Sequence, residues 1–302
     1  MNVSGAAVDA IFLNLSKLFN NAFTSEQTQW QEIAMEVPSN GAYMDHRWLG
    51  NFPVMKEWIG KKNIKKLDDY QYLVKNKAYE STIEVKRDDI EDDQLGLYAI
   101  QATNAGSAAK KHPDQLVFQA VNSIFTAKCF DGQAMVSANH KVGKSTVSNK
   151  GTKKLSTDTL AAAELSYGAG RKAMMELVDE DGESLDVIPN ILLVPPALES
   201  VAKRMVTAKK LGDGSENPFV DTAKVVVSTR IKNPNHWILL DVTKPVKPFL
   251  YQKRKAAQLV KSTNPESSNV FLEGVFYFGV EARGNAGFGF WQLIYASDGS
   301  QA

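Results

Sequence analysis

The chain has 302 residues, with 35 Lys and Arg against 34 Asp and Glu for a formal net charge of +1, and 43% of it is hydrophobic. Near-neutrality argues against a dedicated nucleic-acid binder, which usually shows a strongly basic domain. The hydrophobic share excludes wholesale disorder and suffices for the core of one large domain or of roughly two to three small ones.

The longest apolar runs, 188–194 and 237–240, fall far short of the roughly 18 residues that a membrane-spanning helix needs. Asn14, Ser16, Lys17 and Asn20 interrupt the first apolar stretch, so no secretory signal is expected there. Cys129 is the single cysteine, which excludes an internal disulfide and a multi-cysteine zinc cluster and suggests folding in a reducing interior.

In chain order, Val8, Ile11, Phe12, Leu15, Leu18 and Phe19 recur at helical spacing. They predict an amphipathic helix whose stripe enters its own core or docks on another subunit. Residues 79–85 are rich in strand formers, so 77–86 reads as a strand. An earlier partner around 56–67, with Asp68 and Asp69 as turn residues, would complete a long hairpin made basic by Lys61, Lys62, Lys65 and Lys66. Asp88, Asp89, Glu91, Asp92 and Asp93 then precede a helix-compatible segment ending near Lys111. Acids in its first turn and lysines in its last suit the helix dipole. Taken as one helix, 89–111 spans about 34 Å, and Pro113 would open a second helix through Ile124.

Residues 139–154 lack periodicity and read as a surface loop. Ser156, Thr157 and Asp158 supply caps for a helix reaching Met174. Residues 188–194 form a strand candidate, and 197–209 a helix begun after two prolines. Strands are expected at 225–229, 237–242, 249–251, 270–281 and 289–296, the last two as a glycine-rich hairpin. No repeat of fixed period is present. The class is mixed α+β.

No catalytic set stands out. His46, His112, His140 and His236 are scattered, which offers no compact metal spacing and places each at the surface or in a loop. Cys129 has no histidine or lysine beside it in sequence to lower its pKa, so it reads as a packing residue. The 284–289 glycine run precedes strand formers rather than a helix, which favours a turn over a dinucleotide loop. The carboxylates of 88–93 lack calcium-loop spacing and are already explained by a helix start. No cofactor is expected.

Four stretches nevertheless carry a specific likeness: YESTIEVKRDDIEDDQLG (79–96), HPD (112–114), CFDGQ (129–133) and FGVEARGNAGFGFWQ (278–292). In this order they closely resemble the major head subunit of Mu-like phages, the gpT family. The resemblance implies a tailed-phage capsid protein of the Hong Kong 97 type. Its parts would be an N-terminal arm at 1–49, an extended loop hairpin at 50–87, a peripheral domain with a long spine helix at 88–154, an axial domain at 155–269, and C-terminal strands returning to the peripheral domain at 270–302. It further implies copies of the chain tiling an icosahedral shell as hexamers and pentamers around packaged double-stranded DNA, assembled in a bacterial host cytoplasm. Catalysis is not required by this role.

The partners so implied are other copies, a portal, a scaffold and a maturation protease, with DNA touched non-specifically, a possible decoration protein, and no membrane. Complementary charge would then set Lys61, Lys62, Lys65 and Lys66 of one subunit near Asp88, Asp89, Glu91, Asp92 and Asp93 of a neighbour. No motif marks a Lys–Asn crosslinking pair. An encapsulin-like compartment would share the fold without DNA, and a hydrolase working through the 88–93 carboxylates is a third alternative.

Overall fold

A computed structural model describes residues 5–46, 49, 72–92, 96–264 and 266–301. The first predicted helix is α1 (Gly5–Ser25), in which Val8, Phe12, Leu15 and Phe19 are buried. Steps of three and four residues return to one side of a 3.6-residue helix, and the stripe enters the chain's own core. After the single turn α2 (Trp30–Ile33) the chain passes directly into β1 (Ala34–Pro38). Two short strands, β2 (Tyr43–Asp45) and β3 (Leu73–Lys75), pair antiparallel on either side of the intervening segment. The strand expected at 56–67 lies outside the described residues. The strand-former run becomes β4 (Lys77–Lys86), as its β-branched and aromatic content favours, and α3 (Arg87–Glu91) follows it.

The next helix departs from expectation, because α4 (Gly96–Asn122) runs unbroken through Pro113 instead of stopping near Lys111. An interior proline costs about 3 kcal/mol. Tyr98, Ala102 and Ala105 before it and Leu116, Val117 and Val121 after it sit in two buried clusters, and this packing holds both halves in one helix. The dipole reading also fails. Asp88 and Asp89 lie in the first turn of α3, whereas α4 has no acid in its first turn and no base in its last. Gly106 lets α1 lie against α4, since a Cβ there would fall on the Phe19 carbonyl oxygen.

Residues 139–154 are more ordered than a loop. They contain β5 (His140–Val142), β6 (Ser145–Val147) and β7 (Lys150–Lys153). Buried Asn149 pins them: its carbonyl accepts the Ser137 amide, and its amide donates to the carbonyls of Met135, Trp291 and Ile294. A helical stretch then comprises α5 (Leu160–Ala163), a π-turn at Glu164–Gly168 and α6 (Ala169–Met175). Its N-cap is Thr159, whose hydroxyl accepts the Ala162 amide at 3.1 Å, rather than Ser156, Thr157 or Asp158.

The remaining elements are β8 (Ile191–Val194), α7 (Glu199–Thr207), β9 (Lys224–Val227), β10 (Trp237–Leu240), β11 (Phe249–Ser262), α8 (Ser268–Glu273), β12 (Val275–Phe288) and β13 (Ile294–Gln301). They complete two sheets. A five-stranded sheet has the order β7-β13-β10-β8-β9, and a four-stranded sheet the order β1-β11-β12-β4. The terminal strands therefore do not form a hairpin with each other: β12 lies between β11 and β4, and β13 between β10 and β7. The turn between them buries Trp291 and Leu293. Gly284 and Gly287 lie inside β12 and serve no turn. A Cβ at Gly284 would approach the Gln252 carbonyl oxygen to 2.6 Å, so the glycine permits close packing against β11.

One local shape recurs three times. Bridges Lys128↔Ala134, Val178↔Ser184 and Lys210↔Glu216 each close a small loop. In each, an Asp-Gly pair supplies a glycine at positive φ: 79° at Gly132, 87° at Gly182 and 82° at Gly214. The loops follow α4, α6 and α7, but their unequal spacing produces no fixed sequence period.

Candidate assembly surface and a buried polar cluster

The acidic run forms a surface around α3. Asp88 and Asp92 are exposed and Asp89 is half-buried, its carboxylate accepting the Tyr98 hydroxyl. Burial, and then this carboxylate, pushes the Tyr98 hydroxyl's pKa up. The Glu91 side chain, Asp93 and the four lysines Lys61, Lys62, Lys65 and Lys66 lie outside the described residues, so the structure unites only part of the expected charge set.

Further carboxylates stand on the neighbouring strands, interspersed with Lys86 and Arg283. Glu80 and Glu84 project from alternate positions of β4, and Glu80 stands directly across from Glu281 on β12. Like charges in cross-strand positions repel. Lys255 of β11 relieves this by pairing with Glu281 at 3.0 Å. Strand alternation in 77–86 was the signal for this face, but only register could bring Glu281 to it.

Large apolar side chains also reach solvent. Phe271 and Leu272 on α8, between the two longest strands, are 77% and 75% exposed, and Leu13 on α1 is 75% exposed. No helix among the described residues is long and apolar enough to cross a membrane. A lone exposed side chain such as Leu13 is ordinary, whereas the adjacent Phe271 and Leu272 offer an apolar pair for a protein contact.

Two histidines expected at the surface are wholly buried. His46 and Gln252 are joined through Nε2 and Oε1 at 2.9 Å. The Gln252 amide donates to the Val74 carbonyl and to Asn76 Oδ1, while the Asn76 amide donates to Ser39 Oγ and the Gly41 carbonyl. Apolar surroundings need such mutual satisfaction of polar groups. The network thereby ties β1, the approach to β2, and β3 to the middle of the four-stranded sheet.

His140 is the second. Its ring stacks on Trp291 at 4.1 Å with the planes only 5° apart, and Nδ1 lies 2.6 Å from Asp131 Oδ2. Cys129 Sγ donates to Asp131 Oδ1 at 3.1 Å. Burial works to raise the Asp131 pKa, but hydrogen bonds from His140, Cys129 and the Gln133 amide outweigh it and hold the carboxyl below its ordinary range. Burial, followed by the Asp131 charge, pushes the Cys129 thiol's pKa far up. This is the reverse of an activated nucleophile. Sequence reading placed Cys129 in the interior correctly but missed His140, because a separation of nine positions from Asp131 hid a pairing made by the fold.

Against this geometry, the family model described as Mu-like prophage major head subunit gpT matches residues 8–157, 152–231 and 229–301. The chain belongs to the Mu-like gpT major head subunit family. It is 28% identical to the Mu-like prophage FluMu major head subunit of Haemophilus influenzae, over 99% of this chain and 75% of that protein. Identity to the major capsid protein of Escherichia phage Mu is also 28%, over 99% and 76% of the respective chains. The procapsid protein of bacteriophage JBD30 superimposes with a TM-score of 0.60 at 26% identity, covering 98% of this chain and 76% of that one. The α+β architecture of this gpT-family chain is the Hong Kong 97-type phage capsid fold.

Proposed function

We propose that this protein is a major capsid subunit whose copies assemble as hexamers and pentamers into an icosahedral head around packaged double-stranded DNA. The observation carrying this reading is the family match from residue 8 to residue 301. Near-zero net charge suits the role, since strongly like-charged copies would repel and a basic subunit would bind DNA indiscriminately. The family match favours a phage head over an encapsulin-like compartment, and the role requires no catalysis.

Other copies are the main partner. A portal, a scaffold, a maturation protease and a decoration protein are further proposed partners, with non-specific DNA contact inside a virion assembled in the bacterial cytoplasm. Lys61, Lys62, Lys65 and Lys66 are proposed to meet a neighbour's acidic surface at Asp88, Asp89, Glu91, Asp92 and Asp93. Exposed Glu80 and Glu84 on β4, the strand that leads into α3, add carboxylates close in sequence to that run and support this pairing. Complementary charges would set register more than affinity.

Electron microscopy and sedimentation of the purified chain, alone and with a candidate scaffold, test the reading. Closed shells or capsomer-sized rings are expected, and a stable monomer under both conditions would overturn it. Replacing both Lys65 and Lys66 with Glu should impair assembly while leaving the folded subunit intact. Normal shells from that variant would remove the charge-pairing proposal alone.

A further inference from the structure

We propose that Cys129, Asp131 and His140 form a binding site for a borderline-soft divalent cation of the zinc class. One ligand atom from each lies within 4.8 Å of the others. Cys129 is 4% exposed, and the Asp131 and His140 side chains are 11% and 0% exposed. Thiolate, imidazole and carboxylate together are a donor set suited to zinc, whereas hard cations favour oxygen alone.

The recurring Asp-Gly loop provides an internal control. Asp131 Oδ1 accepts the Gln133 amide at 2.9 Å, and Asp213 Oδ1 accepts the Ser215 amide at 3.0 Å, so loop geometry by itself accounts for the aspartate. The positions corresponding to Cys129 are Asp179 and Leu211, and neither of those loops contains a cysteine or histidine. Their backbones close the same bridges without them. Cys129 and His140 are therefore additions that the turn does not demand.

The His140 ring supplies an independent observation. Stacking on Trp291 fixes its plane and aims Nδ1 at the carboxylate, while Nε2 is buried without a hydrogen-bond partner. An ionised carboxylate has no proton to donate, so Nδ1 bears the proton in the metal-free form. Cation binding would release the thiol proton to solvent and shift the imidazole proton from Nδ1 to the vacant Nε2. Asp131 Oδ2 would face the cation while Oδ1 retained the turn. Tetrahedral zinc places one sulfur, one nitrogen and one oxygen ligand about 3.3–3.6 Å apart. His140 Nδ1 and Asp131 Oδ2, 2.6 Å apart in the metal-free form, would separate by under about 1 Å while the thiolate sulfur, within 4.8 Å of both, closes on the same centre.

Chelator-treated full-length protein should be titrated with Co²⁺ and then with competing Zn²⁺. One Co²⁺ per chain is expected, with a thiolate-to-metal charge-transfer band in the near ultraviolet that Zn²⁺ abolishes. Cys129→Ser should remove that band and weaken binding at least about 100-fold, since even disturbing a ligand's outer partners costs about 10–100-fold. Asp131→Asn keeps an acceptor for the loop and should weaken binding comparably with an unchanged circular dichroism spectrum. Absence of saturable binding by the unsubstituted protein would overturn the site. So would saturable binding without the thiolate band, or binding unaffected by Asp131→Asn in folded protein. None of these readouts depends on shell assembly.

Discussion

The two sheets bury their strands in different ways. Every residue of β8 and β10, at the middle of the five-stranded sheet, is buried. In the four-stranded sheet, β11 begins with four buried residues and then alternates as far as Val260, and β4 is exposed along most of its length. The first arrangement completes its core within one chain. The second covers one face with α1 and α4 and leaves the other, with its mixed charged residues, available to something else. A subunit that must fold alone and then join many copies needs both: a self-sufficient lobe for stability and an unfinished surface for assembly.

The largest expected disturbance lies in the self-sufficient lobe. Trp237 is wholly buried, and its indole N–H donates to the Lys153 carbonyl at 2.9 Å. Trp237→Ala should cost about 3–5 kcal/mol by cavity formation, read as a fall in the denaturant midpoint with little change in slope. A loss below about 1 kcal/mol would show that this sheet does not dominate stability.

A smaller loss is expected where α1 meets α4. Gly106→Ala places a methyl against the Phe19 carbonyl and should cost about 1–3 kcal/mol through overpacking. Hydrogen exchange should show α1 opening while β8 and β10 remain protected. Equal loss of protection in both regions would mean that the molecule opens as one cooperative unit.

This division was only partly legible in the sequence. The 3.6-residue spacing in α1 and the strand formers of β4 reported true local structure, because one strong pattern dominated each segment. Pro113 misled, since a local helix breaker yields when residues on both sides are packed by distant parts of the chain. The glycine run in β12 misled in the same way: its glycines admit neighbouring backbone, a need set by β11. The gpT motifs exposed the family, whereas the Asp131–His140 pair and the Glu80–Glu281 adjacency arise from turn geometry and register. Hydropathy alone carries neither.

Acid should probe the network under the four-stranded sheet. Burial lowers the His46 pKa, opposed by its bond to Gln252 and by the Asp45 charge. Its stability contribution is therefore full above the unfolded histidine pKa of about 6.5 and is lost as pH falls toward the lower folded value. The denaturant midpoint should drop between pH 7 and pH 5, less steeply in His46→Gln. Burial also lowers His112 and His236, so some dependence should remain. An unchanged slope in the variant would exclude His46 as a contributor.

The smallest effect on the isolated chain is expected at α8, where it bears most directly on the unfinished surface. Phe271 and Leu272 are 77% and 75% exposed, so replacing both with Ser should alter chain stability by no more than about 0.5 kcal/mol. The same change would remove two large apolar groups from the end of the longest strand pair. Within the capsid reading, contacts between copies would cover them, so a lower yield of closed shells should accompany undiminished subunit stability. Sedimentation and thermal unfolding of the same preparation would separate these quantities. Full shell yield would place the unfinished surface on the charged face alone, whereas a large loss of subunit stability would mean that α8 belongs to the folded core despite its exposure.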